Sequence, residues 1–287
     1  MSNDPAKYYK YRPLYRIGKK GREVDPSTEM IFNNASLWYS LPSKFNDPYD
    51  CNLRLHANDS TDKEWMQYID GQLREKPASH FPHDHKVLKK TKKEKLWKTN
   101  PSISKNIGHG TLEMNRERSS VLCLSRRGNS IPMFSYYANS HSGIAIEFTF
   151  SDKNVPCDIE YILNPHSGII FGDVEYHKVF PELNYHRLYG SDRLVKHIIF
   201  SKHHEWEHED EYRIFRRGTM PSAVPFDSGI LTRVVFGCKT EADDILLVKE
   251  WLKRWPTDVV LSRATEVSNK FELDIIDFDY AKGVGIS

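Results

Sequence analysis

The residues of this chain best suited to chemistry lie late, in Trp206-Glu207-His208-Glu209-Asp210-Glu211-Tyr212-Arg213. In an extended chain alternate side chains share a face, so Glu209, Glu211 and Arg213 stand together. Such a group serves either as a salt-bridge network or as a tuned carboxylate pair, one member polarising a hydroxyl and the other positioning a nucleophile. His204-Glu205-Trp206-Glu207-His208 also satisfies HExxH, which on an α-helix aims two imidazoles at zinc with the glutamate as general base. Its flanks are acidic, however, and no third ligand has a recognisable spacing, so no metal is expected.

Other polar residues sit among aromatic ones. Ser125 ends the apolar run VLCLS before a Gly-Asn turn. His141-Ser142-Gly143 opens the run IAIEF, and a histidine there serves equally well as a binding contact or as a satisfied structural residue. Asn46-Asp47-Pro48 follows Phe45, where short polar side chains hold a turn through bonds to the backbone. His80, His83 and His85 fall in HFPHDH, read as a solvated loop. Seven lysines and one glutamate lie between Lys86 and Lys98. That run is either a solvated helix face or a patch that attracts phosphate backbones or an acidic partner.

These residues need a scaffold. Residues 8–15 alternate aromatic and basic side chains and predict the first strand. Asp25-Pro26 reads as a helix cap followed by proline in the first turn. Residues 37–41 predict a strand, 42–50 a turn-rich stretch, and 62–76 and 86–98 two helices. Strands follow at 121–125, 144–150, 157–163 and 168–177, with a short aromatic segment at 133–138 and a helix at 183–200. Residues 211–216 read as extended and 231–236 as a buried strand by their β-branched content. A helix at 241–255 has apolar residues at helical spacing, and strands at 258–261 and 272–278 close the sheet. The whole predicts one α+β domain over 1–287, with a mixed, mostly antiparallel sheet and a helical insertion at about 59–118.

Composition narrows the class. With 41 Lys+Arg against 39 Asp+Glu the net charge is +2, which argues against a dedicated nucleic-acid binder. The 39% hydrophobic and 12% aromatic content excludes a disordered chain. No run approaches the roughly 18 apolar residues of a membrane span, and MSNDPAKYYKYR lacks an apolar signal region. A cytoplasmic protein with no membrane partner is expected, its four scattered cysteines reduced.

The segments YKYR (9–12), NNASLWYSLPSKFNDPYD (33–50), VLCLS (121–125), PMFSYYANSHSGIAIEF (132–148), FSKHHEWEHEDEYRI (200–214) and VVFG (234–237) together resemble a bacterial family catalogued as domain of unknown function 2971. Phe134 stands where that family usually has Trp, and Tyr49 where Phe is common. The arrangement in turn looks like an ADP-ribosyltransferase, in which a first-strand Arg or His holds the dinucleotide and a late glutamate orients the nicotinamide ribose. That resemblance implies an NAD-consuming enzyme, a toxin or phage-defence effector, with Glu211 and then Glu209 as catalytic carboxylates. It implies dinucleotide contacts from Tyr11, Arg12, Tyr39, Ser40, Asn46, Asp47, Ser125, Tyr137 and His141. NAD enters as substrate, with a nucleic-acid or protein acceptor. The alternative is a nucleic-acid-binding or nucleic-acid-cleaving defence module that uses the Lys86–Lys98 patch.

Overall fold

The computed structural model describes residues 5–19, 21–105, 107–151, 153–156, 168–189 and 191–278; the predicted 157–163 strand lies outside them. The chain divides into two compact units, residues 1–41, 119–174 and 204–287 in one and 42–118 and 175–203 in the other. The architecture is α+β.

The first unit is built on an eight-stranded, mostly antiparallel sheet, with one parallel pair between Leu231–Phe236 and Val260–Glu266. The Ala6–Arg12 strand is central. It ends where Pro13 supplies no backbone N–H, short of the predicted 8–15, and Tyr15–Gly18 starts a separate two-stranded ribbon with Gly21–Val24. Strand alternation divides its aromatics between two cores. Tyr8 joins Phe148, Phe150, Tyr212, Ile214 and Phe236 on one face. Helix Pro26–Asn34 packs on helix Ala242–Leu252 through Phe32 stacked on Trp251, 5.2 Å between rings, and Phe32, Ile245 and Val248 join that face. Tyr9 and Tyr11 join Phe134, Ala145 and Val235 on the other. There the predicted aromatic segment is a short helix, Ile131–Tyr137, capped by Ser130.

The sheet is uneven at its middle. Ala6–Arg12 runs in register along Ile144–Phe150 from end to end, but it meets Ser119–Ser125 at one pair, Tyr9 with Ser125. Along the rest of that edge, Cys123 O accepts from Lys10 Nζ at 2.8 Å and Val121 exchanges both backbone bonds with Ser40. A side-chain ammonium therefore satisfies a carbonyl in the gap between two strand neighbours.

In the second unit, helix Asp62–Glu75 begins with a full capping box between Thr61 and Glu64. Trp65 stacks on Trp97, 5.4 Å apart and 6° from parallel. The lysine-rich helix spans Pro82–Glu94, so His83 and His85 fall in its first turn rather than in a loop, with Pro82 preset for the helix start. Residues 96–98 continue as a separate 3₁₀ turn after Lys95 enters the left-handed region. The predicted 183–200 helix is divided into Tyr185–Leu188 and Asp192–Phe200, behind a short strand Glu182–Asn184. Among the described residues no helix is long and apolar enough to cross a membrane.

Candidate active site

Strand Glu211–Arg217 lies antiparallel to Ser119–Ser125, with Glu211 opposite Ser125 and Arg213 opposite Cys123. The i, i+2 spacing places Glu211 and Arg213 on one face, and they join bidentately, Arg213 Nε to Glu211 Oε1 and Nη2 to Oε2, both at 2.8 Å. Glu211 is 5% exposed and Arg213 is fully buried. A planar guanidinium fork suits this geometry in a way that a lysine does not.

Glu209, 3% exposed, stands just before the strand. Asp210, with φ 44°, turns the chain between it and Glu211. Glu209 accepts a hydrogen bond from Tyr137 Oη at 2.7 Å through Oε1, and its backbone carbonyl accepts from Ser125 Oγ at 2.6 Å. Ser125 Oγ also accepts from Arg127 N, while Tyr11 Oη donates to Arg127 O and accepts from Ser130 N. Tyr11, Ser125, Tyr137 and Glu209 thus form one connected network, and Ser125 carries it by register to Glu211. Glu209 and Glu211 are separated by a left-handed turn, so the shared face expected of an unbroken strand holds for Glu211 and Arg213 only.

Lys10, a half-buried residue, ends in a buried ammonium at the same strand edge. Burial pushes its pKa down from the ordinary lysine range and the Arg12 charge adds to this, while Cys123, Glu211 and Glu209 push it back up. Burial first, then the Glu211 charge, hold the Cys123 thiol well above its usual range. It stays protonated at neutral pH and is no nucleophile.

Arg12, the expected dinucleotide contact, donates to Asp25 Oδ1 at 2.6 Å and to Thr28 Oγ1 at 3.2 Å. Asp25 in turn caps helix Pro26–Asn34. Tyr39 is buried in the larger core and donates to Pro156 O at 2.5 Å. Ser40 pairs with Val121, four residues or about 13 Å along the strand from Ser125. Asn46 and Asp47 belong to the second unit, where Asp47 Oδ1 accepts from Tyr49 N and holds the turn as its residue type suggested.

His141 closes a run of three left-handed residues, Asn139, Ser140 and His141, with φ 48°, 53° and 72°. Its ring stacks on Phe134 at 5.9 Å, and burial depresses its pKa, leaving a neutral imidazole whose Nδ1 has no hydrogen-bond partner. The neighbourhood is tight: a Cβ on Gly237 would lie 2.0 Å from His141 O, and one on Gly143 would lie 2.4 Å from Arg12 O. Such left-handed runs at non-glycine residues persist only where the surroundings impose them.

The HExxH segment, residues 204–209, is a 3₁₀ helix. At three residues per turn, side chains four apart diverge by about 120°, so His204 and His208 do not share the face that zinc binding requires. Among the described residues no group of three or more His, Cys, Asp or Glu side chains is placed to hold a metal.

Sequence reasoning did not single out Glu147. It is the one charged residue in the apolar strand Ile144–Phe150, and that contrast was the available signal. Buried at 2% exposure, it accepts from Tyr9 Oη at 2.7 Å and Thr232 Oγ1 at 2.8 Å, with Lys7 and Arg233 within salt-bridge distance. Both of its oxygens are engaged by partners from the surrounding strands, which marks it as a scaffold carboxylate.

Residues 133–214 match the model of a family described as protein of unknown function (DUF2971). The matched segment contains Tyr137, His141, Ser125's partner Glu209, and the Glu211–Arg213 pair. No curated protein and no solved structure matches the chain.

Proposed function

We propose, for a chain whose residues 133–214 belong to the domain-of-unknown-function 2971 family, that the first unit consumes NAD by glycosyl transfer in the manner of an ADP-ribosyltransferase. The observation that supports this reading is the pair of buried carboxylates: Glu211 fixed by a bidentate arginine and Glu209 fixed by a tyrosine hydroxyl, with Ser125 bonded to the Glu209 backbone carbonyl and opposite Glu211 in strand register.

The reaction breaks the bond between the nicotinamide nitrogen and the ribose C1′, and nicotinamide leaves with the bonding pair. Positive charge develops on the ribose. Glu211 accepts a hydrogen bond from the ribose 2′-hydroxyl and stabilises that charge, while Arg213 holds the carboxylate in one orientation. An acceptor hydroxyl, amine or water then attacks C1′ and passes its proton to Glu209, whose geometry Tyr137 sets. Because Arg12 is committed to Asp25 and Thr28, we assign the diphosphate to Lys10, whose ammonium uses one of its three donors on Cys123 O.

Chromatographic detection of nicotinamide released from NAD tests the assignment. Wild type is expected to release it and Glu211→Gln to lose at least about a hundredfold in rate, the scale of removing one electrostatic stabiliser. Equal release by both proteins refutes the role given to Glu211.

A further inference from the structure

The seven lysines between Lys86 and Lys98 divide into two groups. Lys92 pairs with Asp70, and Lys95 and Lys98 both pair with Asp62, each acid lying on helix Asp62–Glu75. Lys92 ties the lysine-rich helix to its neighbour, and Lys95 and Lys98 tie the turn that follows it. Lys86, Lys89, Lys90 and Lys93 stand at i, i+3, i+4 and i+7, so they form one stripe, and all four are exposed. Among the described residues none of the four has an acidic side chain within salt-bridge distance.

The stripe carries a cost that, among the described residues, is offset only at Lys93, in the last helical turn where the helix dipole favours a cation. Like charges three and four residues apart on a helix repel, and helix Pro82–Glu94 buries no residue that would compensate by packing. From Lys86 to Lys93 the stripe is about 10 Å long at 1.5 Å per residue. Phosphates on one strand of a duplex rise about 3.4 Å each, so this length faces about three of them. Val87, half-exposed, is the one sizeable apolar side chain among the exposed residues of the helix, which leaves little to enter a lipid bilayer.

We infer that Lys86, Lys89, Lys90 and Lys93 form a docking face for the phosphate backbone of a nucleic acid. The contact is sequence-independent, since four ammonium groups on one helix face read charge and not base edges. It rests on the second unit alone and does not depend on the NAD reading.

The test is fluorescence anisotropy with a labelled duplex of ~20 base pairs, titrated from about 50 mM to about 200 mM salt in the absence of NAD. Wild type is expected to bind, and the quadruple Lys→Gln variant at 86, 89, 90 and 93 to bind far more weakly. At about 0.9 per phosphate neutralised, and about three phosphates faced, the slope of log affinity against log salt should flatten by about 3. The quadruple Lys→Arg variant keeps the charge and should keep the slope, and circular dichroism of all three proteins separates lost charge from lost fold. No binding by wild type at the lowest salt, an unchanged slope in the folded Lys→Gln variant, or equal binding to phosphatidylserine-rich vesicles overturns the inference.

Discussion

Glu211 and Arg213 stand two residues apart on one strand, joined through both guanidinium arms at 2.8 Å in a position almost closed to solvent. Burying two charges is repaid only when the geometry is good and both partners remain. Arg213→Met strands the Glu211 carboxylate and is expected to destabilise the protein by about 3–5 kcal/mol. Arg213→Lys restores charge without the fork and should recover part of that loss. Urea unfolding of the three proteins measures the order, and equal midpoints contradict it.

Tyr137 is expected to act on Glu209 and not on the fold. Tyr137→Phe removes one hydroxyl and should cost about 1 kcal/mol of stability, while nicotinamide release falls by ten- to a hundredfold. The informative readout is the split between kcat and KM: with Tyr137 acting through the Glu209 carboxylate, the loss should fall on kcat with KM little changed. A loss carried by KM with kcat unchanged would place Tyr137 outside the proton-transfer step.

The second unit carries a predicted pH dependence. His186 lies between the rings of Trp65 and Tyr68, 4.3 Å and 4.9 Å from its own, and burial lowers its pKa to about 4. Between about 4 and 6.5 the unfolded chain binds a proton that the folded chain refuses, so stability rises with pH across that window. The contribution is complete above about 6.5 and is lost on acidification, by up to about 3 kcal/mol. Thermal unfolding from pH 4 to 7 should show this rise in wild type and a flatter curve in His186→Phe; parallel curves rule it out.

Gly237 is where His141 is held. Gly237→Ala places a methyl against the His141 carbonyl and is expected to cost about 1–3 kcal/mol or more, because backbone and not a flexible side chain has to move. Chemical denaturation measures this, and an unchanged stability would mean that the 139–141 segment yields freely.

Much of the scaffold was legible because it follows local rules. Alternation put Glu211 beside Arg213, and Asp25-Pro26 announced a helix start. The HExxH match failed for a reason that spacing cannot carry: the motif assumes 3.6 residues per turn, and this segment winds at three. The sequence pointed to Arg12 on the first strand, and only the partners bring Lys10 forward: Asp25 and Thr28 engage the one, a backbone carbonyl in an open strand edge the other. The Asp210 turn that parts Glu209 from Glu211, and the left-handed run at 139–141, come from tertiary packing with no glycine to signal them. The buried network around Glu147 draws on strands more than eighty residues apart and leaves one charged letter in an apolar run as its trace.

The activity proposed for this protein is binding of NAD and cleavage of its nicotinamide bond. Its most direct test is a calorimetric titration of the wild-type protein with NAD, paired with measurement of nicotinamide in the same samples. Binding accompanied by nicotinamide release is the predicted result. No binding heat and no nicotinamide at millimolar NAD would contradict the account.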